Sequence, residues 1–246
     1  MEATDLSQHI SSRFNEDLEA VRANLLAMGG LVEEQLRKGL AALTDADSTL
    51  AGEVVRDDAK VNAMEVAIDR ECLRILATRS PAAGDLRLVI AVIKAITDLE
   101  RIGDEARKIA NISLHLATLE QPSDRYREVR HLGRLVEHML RSALDAFARM
   151  DVDAALHIAQ LDRQVDEEYE SIQRQCVTFM MEDPRQIRRM LDLSWAARSL
   201  ERVGDHATNI GEYVVYLVRG QDIRHRNIAE VETHPGGSAK GGGTAR

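Results

Sequence analysis

Two short runs of the chain place carboxylates where they can act together. Leu99-Glu100-Arg101-Ile102-Gly103-Asp104-Glu105-Ala106 and Leu200-Glu201-Arg202-Val203-Gly204-Asp205-His206-Ala207 match at six of eight positions. In each run Glu and Asp are four residues apart, so on a helix they share one face with Cβ atoms about 5–6 Å apart. The apolar stripe ahead of each run continues into these acids, which therefore face a partner helix or its margin. Like charges at that spacing repel, and withdrawing them from water unpaired is costly, so cations must offset them. Basic side chains of neighbouring helices can do this, the repeated pairs Arg37/Arg141 and Arg101/Arg202 being candidates. A metal ion can do it too, because carboxylate oxygens at i, i+4 are suitable ligands for iron, zinc, manganese or magnesium. Further acids stand at matching places: Asp58 with Asn62, and Asp162 with Asp166, again four apart. The spacing predicts that Asp162, Asp166, Glu201 and Asp205 converge between two helices.

Signs of catalysis are thin. There is no Gly-rich phosphate loop, no Gly-x-Ser-x-Gly elbow and no metal-binding cysteine spacing. A carboxylate-bridged di-iron oxidase needs Glu-x-x-His on each of two helices, and the sole example is Glu128–His131, which is not repeated. Cys72 and Cys176 lie on apolar stripes and read as small buried hydrophobes with no disulfide between them. His206 stands where the other run has Glu105; it reads as a polar helix position, with ligation as the second choice. Gly103 and Gly204 sit in mid-helix, where Gly costs about 1 kcal/mol relative to Ala. Close approach of a neighbouring helix is the expected reason.

The elements that must carry these residues are helices. Leu25, Met28, Val32, Leu36, Leu40 and Leu43 recur at three- and four-residue spacing. Val61, Met64, Ile68, Cys72, Ile75 and Leu76 do the same, as do Leu86, Val89, Ile93, Ile96, Leu99, Ile102, Ala106 and Ile109. Each stripe is the mark of an amphipathic helix. Breaks fall at Ala46-Asp47, Ser80-Pro81, Gln121-Pro122, Met150-Asp151 and Asp183-Pro184. Asp47, Asp151 and Asp183 read as N-caps, the last followed by an N1 proline. Six helices result, several of about 30 residues and so roughly 45 Å long.

The chain also repeats itself. Shifted by 104 residues, 31–76 lies on 135–180 with 14 of 46 positions identical, Asp47 on Asp151, Asp58 on Asp162 and Cys72 on Cys176 among them. The offset then becomes 101, and the two carboxylate runs coincide. The fold expected is all-α: two tandem antiparallel three-helix bundles related by internal duplication, over 5–119 and 123–220. Residues 221–246, rich in Gly and without apolar period, read as a flexible C-terminal tail.

Composition narrows the function class. Thirty-two basic against 41 acidic side chains give a net charge of −9, which weighs against a nucleic-acid or anionic-membrane binder. No stretch is long and apolar enough to span a membrane, and the N-terminal residues lack the pattern of a signal peptide. Two cysteines and this charge fit a soluble, cytoplasmic protein.

Together these motifs carry a resemblance. The twin Glu-x-x-x-Asp runs, with Thr208-Asn209-Ile210 after the second, look like the signatures of the PhoU family. Ser80-Pro81-Ala82-Ala83-Gly84-Asp85-Leu86-Arg87 resembles that family's turn into its third helix. Tyr213-Val214-Val215-Tyr216-Leu217-Val218-Arg219-Gly220 is similar to its closing segment, and Leu26-Ala27-Met28-Gly29-Gly30-Leu31-Val32-Glu33 to its first helix. The likeness covers roughly 5–225 and implies a homodimer of two three-helix bundles per chain. The function it implies is that of a non-catalytic, cytoplasmic negative regulator of phosphate uptake and of the phosphate-starvation regulon. Such a protein links the ATPase subunit of the high-affinity phosphate ABC transporter to the sensor histidine kinase of a two-component system. Some family members bind metal at the repeated signatures and others show none, so no cofactor is required. By position the implied metal ligands are Glu100, Asp104, Glu201 and Asp205, supported by Asp58, Asp162 and Asp166. Asn62 in place of an acid leaves the first set one carboxylate short. The alternative, from another class, is a metal-binding or metal-storage bundle in which these carboxylates are themselves the function.

Overall fold

The structure, a computed structural model, describes residues 3–79, 81–119 and 126–222, with side chains from residue 14 onward. The junction at Ser80, the break at Pro122 and the tail beyond residue 222 lie outside the described residues. Within them are six α-helices and no strand: α1 Ala3–Asp45, α2 Ser48–Arg79, α3 Ala83–Leu116, α4 Arg127–Arg149, α5 Val152–Glu182 and α6 Ile187–Arg219. A 3₁₀ turn, Pro184–Gln186, leads into α6.

Local chemistry sets the breaks. Ala46 and Met150 both hold φ at 56°, each at the end of the first helix of its half. A left-handed residue here stops the helix and turns the chain, at a cost of about 1–2 kcal/mol for a side chain with a Cβ. Each is followed by the expected cap. Asp47 accepts from the amides of Thr49 and Leu50, at 2.9 and 3.0 Å, and Asp151 from that of Ala154 at 3.0 Å. Asp183 caps the turn at Pro184 by accepting from Arg185 N at 3.1 Å. Gly220 closes α6 with φ at 68°, a conformation that suits glycine.

Packing follows the stripes. Leu25, Met28, Val32, Leu36 and Leu43 of α1 are buried, as are Val61, Ile68, Cys72 and Ile75 of α2. On α3 the stripe is buried from Val89 through Ile109, with Ile93 half-buried, whereas Leu86 at its start is exposed. Both cysteines are free and buried, and burial pushes the Cys72 thiol up to about 12. In each half the middle helix packs on the other two: α2 on α1 and α3, α5 on α4 and α6. The halves meet along α3–α6 and, less extensively, α1–α4, and one hydrophobic core runs through all six helices.

The α3–α6 contact is antiparallel, and its middle falls at the two signature runs. Asp98 of α3, buried, accepts from three side chains of α6: His206 Nδ1 at 2.7 Å, Asn209 Nδ2 at 3.1 Å and Tyr213 Oη at 2.8 Å. Glu105, also buried, lies 3.1 Å from Arg202 Nε of α6 and 3.0 Å from Lys108. Farther along, His115 Nδ1 meets Asp192 at 2.8 Å. Residue numbers across these pairs sum to 304–311, the mark of one antiparallel register with Gly103 opposite Gly204 at its centre.

His206 thus belongs to the contact between halves. The polar helix position expected for it is a buried hydrogen-bond partner of Asp98, because the face of α6 opposite the carboxylates packs on α3. Removing Asp98 would take from the buried His206 and Tyr213 and the half-buried Asn209 the acceptor they share. Asp98→Ala is expected to lower the unfolding free energy in urea by about 2–4 kcal/mol, and Tyr213→Phe by about 1 kcal/mol. Equal and small losses in both variants would show that the network contributes little.

Candidate functional site

The outward margins of α3 and α6 carry the carboxylates, and the mid-helix glycines explain how the outer helices reach them. A Cβ on Gly103 would stand 3.3 Å from Gln35 Oε1, 3.4 Å from Val61 Cγ1 and 3.8 Å from Asp58 Oδ1. On Gly204 it would stand 3.3 Å from Val165 Cγ1, 3.6 Å from Met139 Sδ and 3.8 Å from Asp162 Oδ1. These neighbours correspond position by position, so the close approach expected at both glycines is present twice. It brings Asp58 beside Glu100 and Asp104, and Asp162 beside Glu201 and Asp205.

In the first half Asp58 is buried, and Glu100 and Asp104 are half-buried. Arg107 fills the space between them, its Nε 3.0 Å from Asp58 Oδ2 and its Nη2 2.6 Å from Asp104 Oδ1. Burial pushes the Asp58 carboxyl up, the Arg107 guanidinium draws it down, and Asp104 pushes it up again. Glu100 is raised by burial and then by Asp104, Glu65 and Asp58, with Arg101 opposing. Asn62 is exposed, and Glu65, one turn along α2, is the further acid on this face.

The second half is built differently. The position equivalent to Arg107 is Thr208, whose hydroxyl donates to Asp162 Oδ1 at 3.1 Å. The nearest cation is Arg198, one turn before the signature, at 2.9 Å from Glu201 Oε1 and 5.7 Å from the centre of the Tyr169 ring. Asp162 is raised by burial, eased by Thr208, and raised further by Asp166 and Asp205. Partial desolvation, then Asp205 and Glu170, push Asp166 up against the pull of Arg198. Glu201 is raised by burial and Asp205, with Arg198 opposing and Asp166 and Asp162 adding to the rise. Its Oε2 is buried without a hydrogen-bond partner. Asp166 and Asp205 are exposed, so these two stand at the open margin and not against a partner helix. The four acids expected to converge therefore share one face and feel one another's charge.

The cations that offset these acids are not the repeated arginines. Arg37 pairs with Glu34 at 2.6 Å and Arg141 with Glu33 at 2.5 Å, both beside a cleft of about 230 Å³ between α1 and α4. Arg202 serves Glu105, and Arg101 adds only a through-space pull on Glu100 and Glu65. Arg107 was visible in the sequence at i+3 from Asp104, and Thr208 at its repeat position was the sign of an unequal pair.

Among the described residues no three His, Cys, Asp or Glu side chains gather as a metal ion requires. In the first half a guanidinium already occupies the space between Asp58 and Asp104. The second half leaves its carboxylates less neutralised, with Thr208 at the place of Arg107.

The comparisons with known proteins fit this arrangement. The family model described as the PhoU domain matches residues 25–113 and again 129–214, one match on each half. The chain belongs to the PhoU family. It is 54% identical over 234 residues to the phosphate-specific transport system accessory protein PhoU homolog of Pseudomonas putida, covering 95% of this chain and 91% of that one. It is 48% identical over 225 residues to the phosphate-specific transport system accessory protein PhoU of Escherichia coli (strain K12), covering 92% and 93%. The crystal structure of PhoU from Pseudomonas aeruginosa superposes with a TM-score of 0.82 at 56% identity, over 85% of this chain and 100% of that one. The phosphate transport system regulatory protein PhoU from Streptococcus pneumoniae superposes with a TM-score of 0.79 at 32% identity, over 85% and 98%. The PhoU-type fold is thus shared along nearly the whole described chain.

The raised carboxyls give a pH signature with a definite sign. A carboxyl raised in the folded state binds its proton more tightly folded than unfolded, so its charge costs stability above the folded pKa. That cost fades as pH falls through the raised pKa toward the ordinary value of about 4. Asp166→Asn relieves Asp162 and Glu201 of one repelling charge. It is expected to raise the thermal midpoint at pH 7, with a gain that shrinks as pH falls toward about 4. A loss, or a gain independent of pH, would contradict crowding of the second-half acids.

Proposed function

We propose that this protein is a non-catalytic accessory protein of phosphate-specific transport. It acts in the cytoplasm as a homodimer and as a negative regulator of phosphate uptake and of the phosphate-starvation regulon. Its helical faces link the ATPase subunit of the high-affinity phosphate ABC transporter to the sensor histidine kinase of a two-component system. The observation that carries this reading is likeness over nearly the whole length: the two relatives reported above, both named as phosphate-specific transport accessory proteins, align with 95% and 92% of this chain. Two features support it. Among the described residues no helix is long and apolar enough to cross a membrane, and the polar groups buried between the halves hold helices together. Deleting the gene is expected to switch on phosphate-starvation genes in high-phosphate medium, measured by reporter expression. Unchanged expression would contradict the reading.

A second reading, metal binding or storage, is favoured by the second-half acids, which lack the guanidinium that Arg107 supplies in the first. Glu201, Asp205, Asp162 and Asp166 would be its ligands there, and Glu100, Asp104 and Asp58 those of the first half once Arg107 moved aside. Elemental analysis of protein purified without a chelating tag tests it. Stoichiometric metal that disappears in Glu201→Ala/Asp205→Ala while phosphate regulation persists would favour this reading over the first.

A further inference from the structure

The one tryptophan of the chain, Trp195, is 58% exposed near the start of α6. Ile187 and Leu191, eight and four residues earlier, are exposed on the same helix, at 42% and 38%. On α5, Val177 is 54% exposed. It lies one turn beyond Gln173, whose side chain bonds Ser194 through both its nitrogen and its oxygen, at 3.2 and 2.6 Å. These bonds, with Thr208–Asp162, hold α5 alongside α6 in one antiparallel register, which sets Val177 at the level of Leu191. The margin of α6 runs Ile187, Leu191, Ser194, Arg198, Glu201, Asp205, at alternating three- and four-residue steps. One face therefore carries an apolar patch at one end and four crowded carboxylates at the other. Leu191 to Asp205 spans roughly 21 Å, about four helical turns.

The first half supplies the complement. There the acids are neutralised from within, by a guanidinium that touches Asp58 and Asp104. At the repeat position the second half has Thr208, too short to do the same, and Arg198 serves Glu201 alone at ion-pair distance.

We propose that the α5–α6 face is a docking surface for an amphipathic helix of a partner protein, apolar at one end and basic at the other. Its apolar residues cover Trp195, Leu191 and Val177. Its Lys or Arg enters between Asp162, Asp166 and Asp205, doing from outside what Arg107 does from inside. Burying exposed aromatic and aliphatic side chains gives the affinity, and charge complementarity fixes direction along the groove. This rests on the adaptor reading of the preceding section, in which helical surfaces meet partners.

Because Trp195 is the sole tryptophan, its emission reports on this face alone. The probe is an 18-residue helical peptide with leucines on its first two turns and lysines and arginines on its last two. Saturable binding to the full chain with a blue shift of Trp195 emission is expected. Binding should be lost when the basic residues are changed to Glu. Thr208→Arg, which copies the first half, should weaken it at least about tenfold with helix content unchanged. Trp195→Ala, at an exposed position, should do so too when binding is followed by calorimetry. Absence of saturable binding, or binding equal in Thr208→Arg, overturns the proposal. So does a blue shift produced without peptide by rising protein concentration, which assigns the face to a second copy. A shift produced by manganese or magnesium alone, with none from peptide, assigns it to metal. Reporter strains separate this from the adaptor reading. Normal phosphate regulation in Thr208→Arg and Trp195→Ala strains, beside derepression in the deletion strain, would leave the adaptor standing without this surface. No response to deletion would remove the adaptor itself.

Discussion

Everything on the two carboxylate faces depends on how α3 and α6 lie against each other. Their antiparallel contact centres on Gly103 and Gly204, and each helix must serve two neighbours at that point. One side of α3 meets α6 through Asp98 and Glu105, and the other meets α2 through Gly103 and the acids around it. α6 does the same toward α3 and α5. A side chain at either glycine would press on a valine of the outer helix and on the core residue behind it. The eight-residue signature is therefore a packing solution as much as an electrostatic one: small residue inward, acids at the margin, polar lock on the opposite face.

Duplication supplied two copies of this solution, and their charges have since been arranged differently. Asp58 and Asp162, Val61 and Val165, and the two glycines keep equivalent places. The cations do not. The first half has Arg107 after its signature and Thr97 before it; the second has Arg198 before and Thr208 after. The lock between halves is unequal too: His206 bonds Asp98, whereas Glu105, at the equivalent place in the first half, is met by Arg202. A frame that keeps its backbone geometry while its two faces diverge in charge is suited to the adaptor role proposed above.

Much of this was legible in the chain. Period 3.6 stripes gave six helices because each buries one face. The Asp caps at 47, 151 and 183 stand where their hydrogen bonds are needed. The repeat placed Asp58 with Glu100 and Asp162 with Glu201, since equivalent spacing on packed helices gives equivalent neighbours. What periodicity does not carry is the partner of each polar group across helices. Asp98 looked like any acid on a long helix, and only the register of α3 on α6 makes it the acceptor for His206, Asn209 and Tyr213. The repeated arginines looked like the natural counter-charges. Arg37, Arg141 and Arg202 pair with other acids and Arg101 acts on Glu100 only through space, while Arg107, unrepeated, meets Asp58 and Asp104 in the first half. Exposure of Asp166 and Asp205 depends on which sides of α5 and α6 face each other, a matter of tertiary packing.

If the α3–α6 layer organises both faces, the two halves should open together. Native-state hydrogen exchange along α3 and α6 is the direct measurement. Amides on either side of Gly103 and Gly204 are expected to share the highest opening free energy in the molecule, equal in both helices, with α2 and α5 exchanging at lower cost. Protection that differs between α3 and α6, so that one half opens while the other stays closed, would contradict a shared central layer.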